Sequence, residues 1–172
     1  MKNNFDKCFS LVLQEEGGYV NNPRDPGGRT NLGVTQAAWQ SFVNRDVTES
    51  EMRLLTPDLV KPFYKAMYWD KIKGDQLPAG VDYATFDFAV NSGIGRAAKM
   101  LQQVAGVTVD GVLGPKSIEA ITFCSREKTV DVLCDMRLDF MKHLSTWPTF
   151  GRGWGDRVAR VKEKAIGMTK TQ

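Results

Sequence analysis

The opening of the chain carries a helical stripe: Phe5, Phe9, Val12 and Glu16 follow one another at steps of four, three and four, which places them on one face of an α-helix. Cys8 and Leu13 widen that apolar face, and Asp6, Lys7, Ser10 and Gln14 flank it. Gly17 and Gly18 follow at once, a usual way for a helix to stop. Residues 17–34 then carry Gly, Pro, Asn and Asp at turn density, with Tyr19, Val20, Arg29, Thr30 and Leu32 as strand positions of a small irregular β-hairpin. Thr35 is placed to cap a helix through Ala37, Ala38, Trp39 and Phe42. Thr48 and Glu51 have capping-box spacing, and Thr56-Pro57-Asp58 supplies a cap, a first-turn proline and a first-turn acid, so two further helices start there. The segment 82–93 is apolar on nearly every side, which predicts a central helix surrounded by the rest of the fold. Gly93 and Gly95 break it before helical spacing resumes at Ala97, Met100, Leu101 and Val104. An Asp110-Gly111 turn leads to a helix start at Pro115, residues 126–145 form a long amphipathic helix, and the glycine-rich 150–157 reads as the approach to a last helix. The sum is a mainly α protein with a central buried helix and a small N-terminal β-hairpin.

Composition narrows the class. A chain of 172 residues suits a single domain, 1–172, large enough to bury a core without disulfides or metal. Its net charge of +3 favours an anionic polymer without arguing for nucleic acid. The basic C-terminal group Arg152, Arg157, Arg160, Lys162 and Lys164 reads as a solvated helix face. Cys8, Cys124 and Cys134 are odd in number and lie in helical patterns, so the pattern predicts neither a disulfide framework nor a zinc site. No apolar run predicts a signal peptide or stable membrane insertion.

The chemistry concentrates next to the first helix. Glu16 is on the core-facing stripe and at the helix C-terminus, where partial burial and the helix dipole both disfavour a carboxylate, the setting a general acid needs. Glu15 falls off the stripe and reads as solvated. Asp25, nine residues on in a polar turn, is expected to stay ionised, and Thr30 on the returning arm offers a hydroxyl for an attacking water. An acid and a second carboxylate are what glycoside cleavage requires, and their separation distinguishes inversion from retention. Spacing alone is weak evidence for these roles, since Asp25 could simply close a turn before Pro26 and Thr30 could be an ordinary strand residue.

The runs EGGYVNNPRDPGGRTNLGVT at 16–35, YW at 68–69, DFAVNSG at 87–93, LQQVAGVTVDGVLGP at 101–115 and GW at 153–154 resemble glycoside hydrolase family 108. These are phage and bacterial N-acetylmuramidases that degrade peptidoglycan. The resemblance implies a lysozyme-like helical domain with the catalytic motif in 16–35, Glu16 as catalytic acid, and a triad order Glu16, Asp25, Thr30 like that of phage lysozymes. The Asp25-to-Thr30 gap is one residue shorter than the usual phage pattern. It also implies a peptidoglycan-binding-like helical segment at about 95–168 within the same domain. Peptidoglycan glycan strands would be the partner, no cofactor or metal would be used, and the chain would act as a monomer. A phage endolysin without a signal peptide would wait in the host cytoplasm until a holin pore releases it to the periplasmic wall. A glycan cleft needs aromatic platforms and hydrogen-bonding groups, for which Tyr19, Tyr68, Trp69 and Asn91 are the candidates; Trp154 is assigned to packing.

Rival chemistries fare less well. A zinc amidase needs several His or Cys ligands, and the only histidine, His143, sits on a helical pattern. A Cys-His peptidase would need an exposed, activated thiol. A lytic transglycosylase also uses one glutamate and differs by leaving a 1,6-anhydro sugar. A non-enzymatic wall-binding module would bind sacculi without releasing fragments.

Overall fold

In the computed structural model, residues 4–22 and 28–171 are described. They begin with α1 (Phe5–Glu15), whose buried positions Phe5, Cys8, Phe9 and Val12 are those of the predicted stripe. The hairpin is a three-stranded antiparallel sheet, β1 (Val20–Asn21), β2 (Arg29–Asn31) and β3 (Val34–Thr35), in the order β1-β2-β3 with Thr30 opposite both Val20 and Thr35. Leu32 is not a strand residue: it takes a positive φ of 50° in the turn between β2 and β3.

Three caps form as the spacing predicts. The Thr35 hydroxyl accepts from Ala38 N at the start of α2 (Gln36–Val43), Thr48 and Glu51 complete a capping box on α3 (Glu49–Arg53), and Thr56 caps α4 (Pro57–Tyr64) with Pro57 in its first turn. Each satisfies backbone N–H groups that a helix start leaves unpaired. Beyond α4, which contains Pro62, the chain widens into a π turn over Lys65–Trp69.

Two compact units result. One is Phe9–Met67, whose aromatic core includes Phe9 against Tyr64 and the mutually packed Trp39, Phe42 and Phe63. The other joins the residues up to Cys8 to those from Tyr68 on, and is built around α5 (Val81–Ser92). Every residue from Val81 to Ala89 is buried, which is why no polar face exists in the sequence there. Around α5 pack α6 (Ile94–Ala105), α8 (Arg126–Lys142) and α9 (Trp147–Thr169), while α7 (Pro115–Phe123) lies against α6.

Two expectations change. The long helix predicted to 145 ends at Lys142 with His143 as its cap. The glycine-rich 150–157 is part of α9 rather than an approach to it. A Cβ on Gly151 would lie 2.5 Å from the Trp147 indole, so the missing side chain makes room for a ring lying along the same helix. Tertiary packing thereby overrides the low helix propensity of glycine. Among the described residues no helix is long and apolar enough to cross a membrane.

Candidate active site

Glu16 is the first residue past α1, half-buried, with its N–H donating to Leu13 O at 3.2 Å. The helix thus ends one residue earlier than the stripe suggests, and Glu15 is half-buried as well. The Glu16 side chain rests on the turn after β2. A Cβ on Gly33 would stand 2.9 Å from Glu16 Oε2, 3.0 Å from its Cγ and 2.5 Å from the Tyr64 hydroxyl. Tyr64 in turn donates to Leu32 O at 2.7 Å. The end of α1, the β2–β3 turn and α4 therefore meet at this carboxylate, with bare backbone at Gly33 as the surface beside it.

Gly33 has a φ of +75°, a left-handed conformation that costs a residue with a side chain about 1–3 kcal/mol. Gly33→Ala is accordingly expected to lose about that much stability and, because the new methyl must displace Glu16 or Tyr64, to lower turnover as well. Chemical denaturation and sacculus turbidity measured on the same preparation test this; unchanged turnover would mean that Glu16 does not depend on the turn for its position.

Thr30 is half-buried on β2, three residues before Gly33. Asp25 lies outside the described residues. Tyr19, also half-buried, donates to Glu49 Oε1 at 3.0 Å, and the Arg53 guanidinium sits 4.1 Å from its ring centroid. Glu49 is further bridged by Arg53 at 2.8 Å and Arg29 at 3.2 Å. Desolvation and then the Glu49 carboxylate hold the Tyr19 phenol above its ordinary value, so it remains a neutral donor. Arg53 thus covers one face of the Tyr19 ring.

Tyr68 is half-buried in the wide turn, but its neighbour Trp69 is core. Trp69 is fully buried against Phe5 and Phe86, its indole N–H donates to Asp75 Oδ1 at 2.9 Å, and Gly74 gives it space, since a Cβ there would lie 2.3 Å from the indole. No ring face remains for a glycan, so its assignment as a platform is withdrawn. Asn91, near the end of α5, is half-buried and accepts on Oδ1 from Arg137 Nη2 at 3.1 Å and Ser92 Oγ at 3.0 Å.

Behind Asn91 stands a charge cluster that the sequence reading missed. Asp87 is fully buried and takes Arg137 Nη1 at 2.7 Å and Arg157 Nη2 at 2.9 Å. Arg157 is therefore not on a solvated face; it is 9% exposed because it reaches inward to this carboxylate. The available signal was an aspartate in a helix with no polar face, since a buried charge demands a partner. As for thiols, burial pushes Cys134 up to about 12 and Cys8 higher still, so neither supplies a thiolate near neutrality. Among the described residues no group of three or more His, Cys, Asp or Glu could hold a metal ion.

The family model of glycosyl hydrolase 108 matches residues 9–93, a segment that contains Glu16, Asp25, Thr30, Gly33 and Tyr64. The whole fold also superposes on a solved structure, that of Brucella abortus SagA, with a TM-score of 0.89 and 44% sequence identity, covering 100% of this chain and 99% of that one. The chain belongs to glycosyl hydrolase family 108. This family-108 protein is thus a glycoside hydrolase directed at peptidoglycan, and its mainly α architecture is lysozyme-like. No curated protein matches the family-108 chain.

Proposed function

We propose that this protein is an N-acetylmuramidase that hydrolyses the β-1,4 bond between N-acetylmuramic acid and N-acetylglucosamine. Glu16 is the general acid that protonates the leaving oxygen, Asp25 is the base or the electrostatic stabiliser, and Thr30 holds the attacking water. Tyr19, Tyr68 and Asn91 contact the glycan. The observation that carries this reading is the seat of Glu16: a carboxylate just past the end of a helix, beside the Gly33 backbone that the Tyr64 hydroxyl also approaches, inside the segment matched by the family. A general acid needs such a fixed, partly desolvated position to meet the glycosidic oxygen in one geometry.

In its biological setting the enzyme is a monomeric endolysin that works without a cofactor. It is held in the host cytoplasm and released through a holin pore to the periplasmic wall, where cleavage of the glycan lyses the cell. The alternative with the same acid is lytic transglycosylation. Digestion of purified peptidoglycan followed by mass spectrometry of the new sugar ends separates the two. Reducing muramic ends are expected; 1,6-anhydro ends would replace the hydrolase with a transglycosylase, and reducing N-acetylglucosamine ends would move the cut to the other bond of the repeat.

A further inference from the structure

Of the three cysteines, Cys8 and Cys134 are 0% and 2% exposed, whereas Cys124 is half-buried. It caps the end of α7, where Sγ donates to Ala120 O at 3.3 Å. The same residue lines a pocket of about 690 Å³ between the end of α6, the α7–α8 junction and α8 as far as Met136, a volume in the range that holds small molecules. Val104, Val132 and Met136 form its apolar wall, and Gln103, Ser125, Lys128 and Thr129 supply further polar groups. The pocket lies wholly outside the family-matched segment.

Thr129 points to an occupant. It is 2% exposed, yet its hydroxyl has no hydrogen-bond partner among the described residues. A threonine in a helix can turn its hydroxyl to the carbonyl four residues back, as Thr85 does to Val81 O at 2.7 Å and Thr122 to Ile118 O at 2.8 Å. Thr129 does not: Ser125 O accepts its N–H at 2.9 Å and not its hydroxyl. A buried hydroxyl without a partner is unfavourable, so a group that enters the pocket and bonds to it is favoured.

Charge narrows the class of that group. Lys128 is the one charged side chain on the wall, and no acid is paired with it among the described residues. The acids nearest it in sequence, Glu127 and Asp131, line a neighbouring depression that Lys128 also borders, and Asp131 is bridged there by Lys162. Ser125 Oγ accepts from Lys128 N at 3.4 Å, which leaves its O–H to donate, and the exposed Gln103 amide can donate or accept. A carboxylate therefore suits this wall better than an ammonium.

We propose that Cys124 is a modification site, joined through a mixed disulfide to a small thiol that carries a carboxylate, with that carboxylate at Lys128 and the Thr129 hydroxyl donating to the attached group. The Cys124 thiol gives its proton to solvent, losing the bond to Ala120 O, and the thiolate attacks one sulfur of a low-molecular-weight disulfide R–S–S–R. The bond from Cys124 to that sulfur forms as the old S–S bond breaks, and the departing R–S⁻ takes up a proton from water. Cys124 is oxidised and one half of the disulfide is reduced, so no other oxidant enters. Neither Glu16 nor the glycan takes part.

The folded full chain is equilibrated in buffers of oxidised and reduced glutathione, which carries carboxylates, or of cystamine and cysteamine, which carry only an ammonium. Adducts are read by intact mass and non-reducing peptide mapping. Each equilibrium constant at Cys124 is divided by its value in denaturant, which removes the intrinsic redox preference of the reagent. One glutathionyl group per chain is expected, on Cys124, with a relative constant above that of cysteamine. Thr129→Val, which keeps the shape and loses the hydroxyl, is expected to lower the glutathione constant about fivefold. Lys128→Gln should lower it about threefold and leave cysteamine no weaker. A variant that opens the fold is recognised by adducts on Cys8 and Cys134 as well, so the two substitutions check one another. No adduct on the folded chain, an adduct on Cys8 or Cys134 of the parent, a relative constant as high for cysteamine as for glutathione, or a parent-like constant in either folded variant would overturn the proposal.

Discussion

Glu16→Gln will lower the clearing of purified sacculi by roughly a thousandfold, within the range that a positioned general acid contributes, while leaving the near-ultraviolet dichroism of the folded protein unchanged. The substitution is nearly isosteric, and the amide can occupy the same space beside Gly33 and the Tyr64 hydroxyl. What it cannot do is give up a proton to a departing sugar oxygen. The loss is expected in kcat with little change in KM, because the proton is transferred in the transition state and contributes little to binding the ground state. Activity within tenfold of the parent would remove Glu16 from the mechanism, and Asp25 and Thr30 would lose the partner that gives their assignment its sense.

The reach of the sequence follows from which causes are local. The caps at Thr35, Thr48 and Thr56 depend on residues three positions away, and all three form. α5 was legible because a helix without a polar face has one main solution, enclosure by other helices. The half-buried position of Glu16 was legible from the stripe that carries it toward the core. Gly33 was not, since its reason is the approach of Glu16 and Tyr64 from two other elements. The same holds for Gly151, whose missing side chain makes room for Trp147 and which therefore extends a helix that its own propensity argues against. Tyr68 and Trp69 are adjacent aromatic residues in one turn; only the packing of Phe5 and Phe86 shows that the second is core.

Asp87→Asn is the substitution expected to cost the most stability, about 3–5 kcal/mol, the usual penalty for removing the charge of one member of a buried ion cluster. Two guanidiniums converge on this carboxylate, Arg137 from α8 and Arg157 from α9, and Arg157 meets it through Nε at 3.2 Å as well as through Nη2. Asparagine keeps the size but has one acceptor oxygen and no charge, so both buried guanidiniums lose the carboxylate that offsets their desolvation. For a chain of this length the melting temperature should fall by about 10 °C, as read by far-ultraviolet dichroism. A fall of only a degree or two would mean that water reaches the cluster and that helix packing alone holds α8 and α9 to α5. The effect should also pass to Asn91, because Arg137 holds its oxygen. A loosened Arg137 would free the amide to turn over, and the Asn91 side-chain resonance should broaden in Asp87→Asn at temperatures well below its melting point.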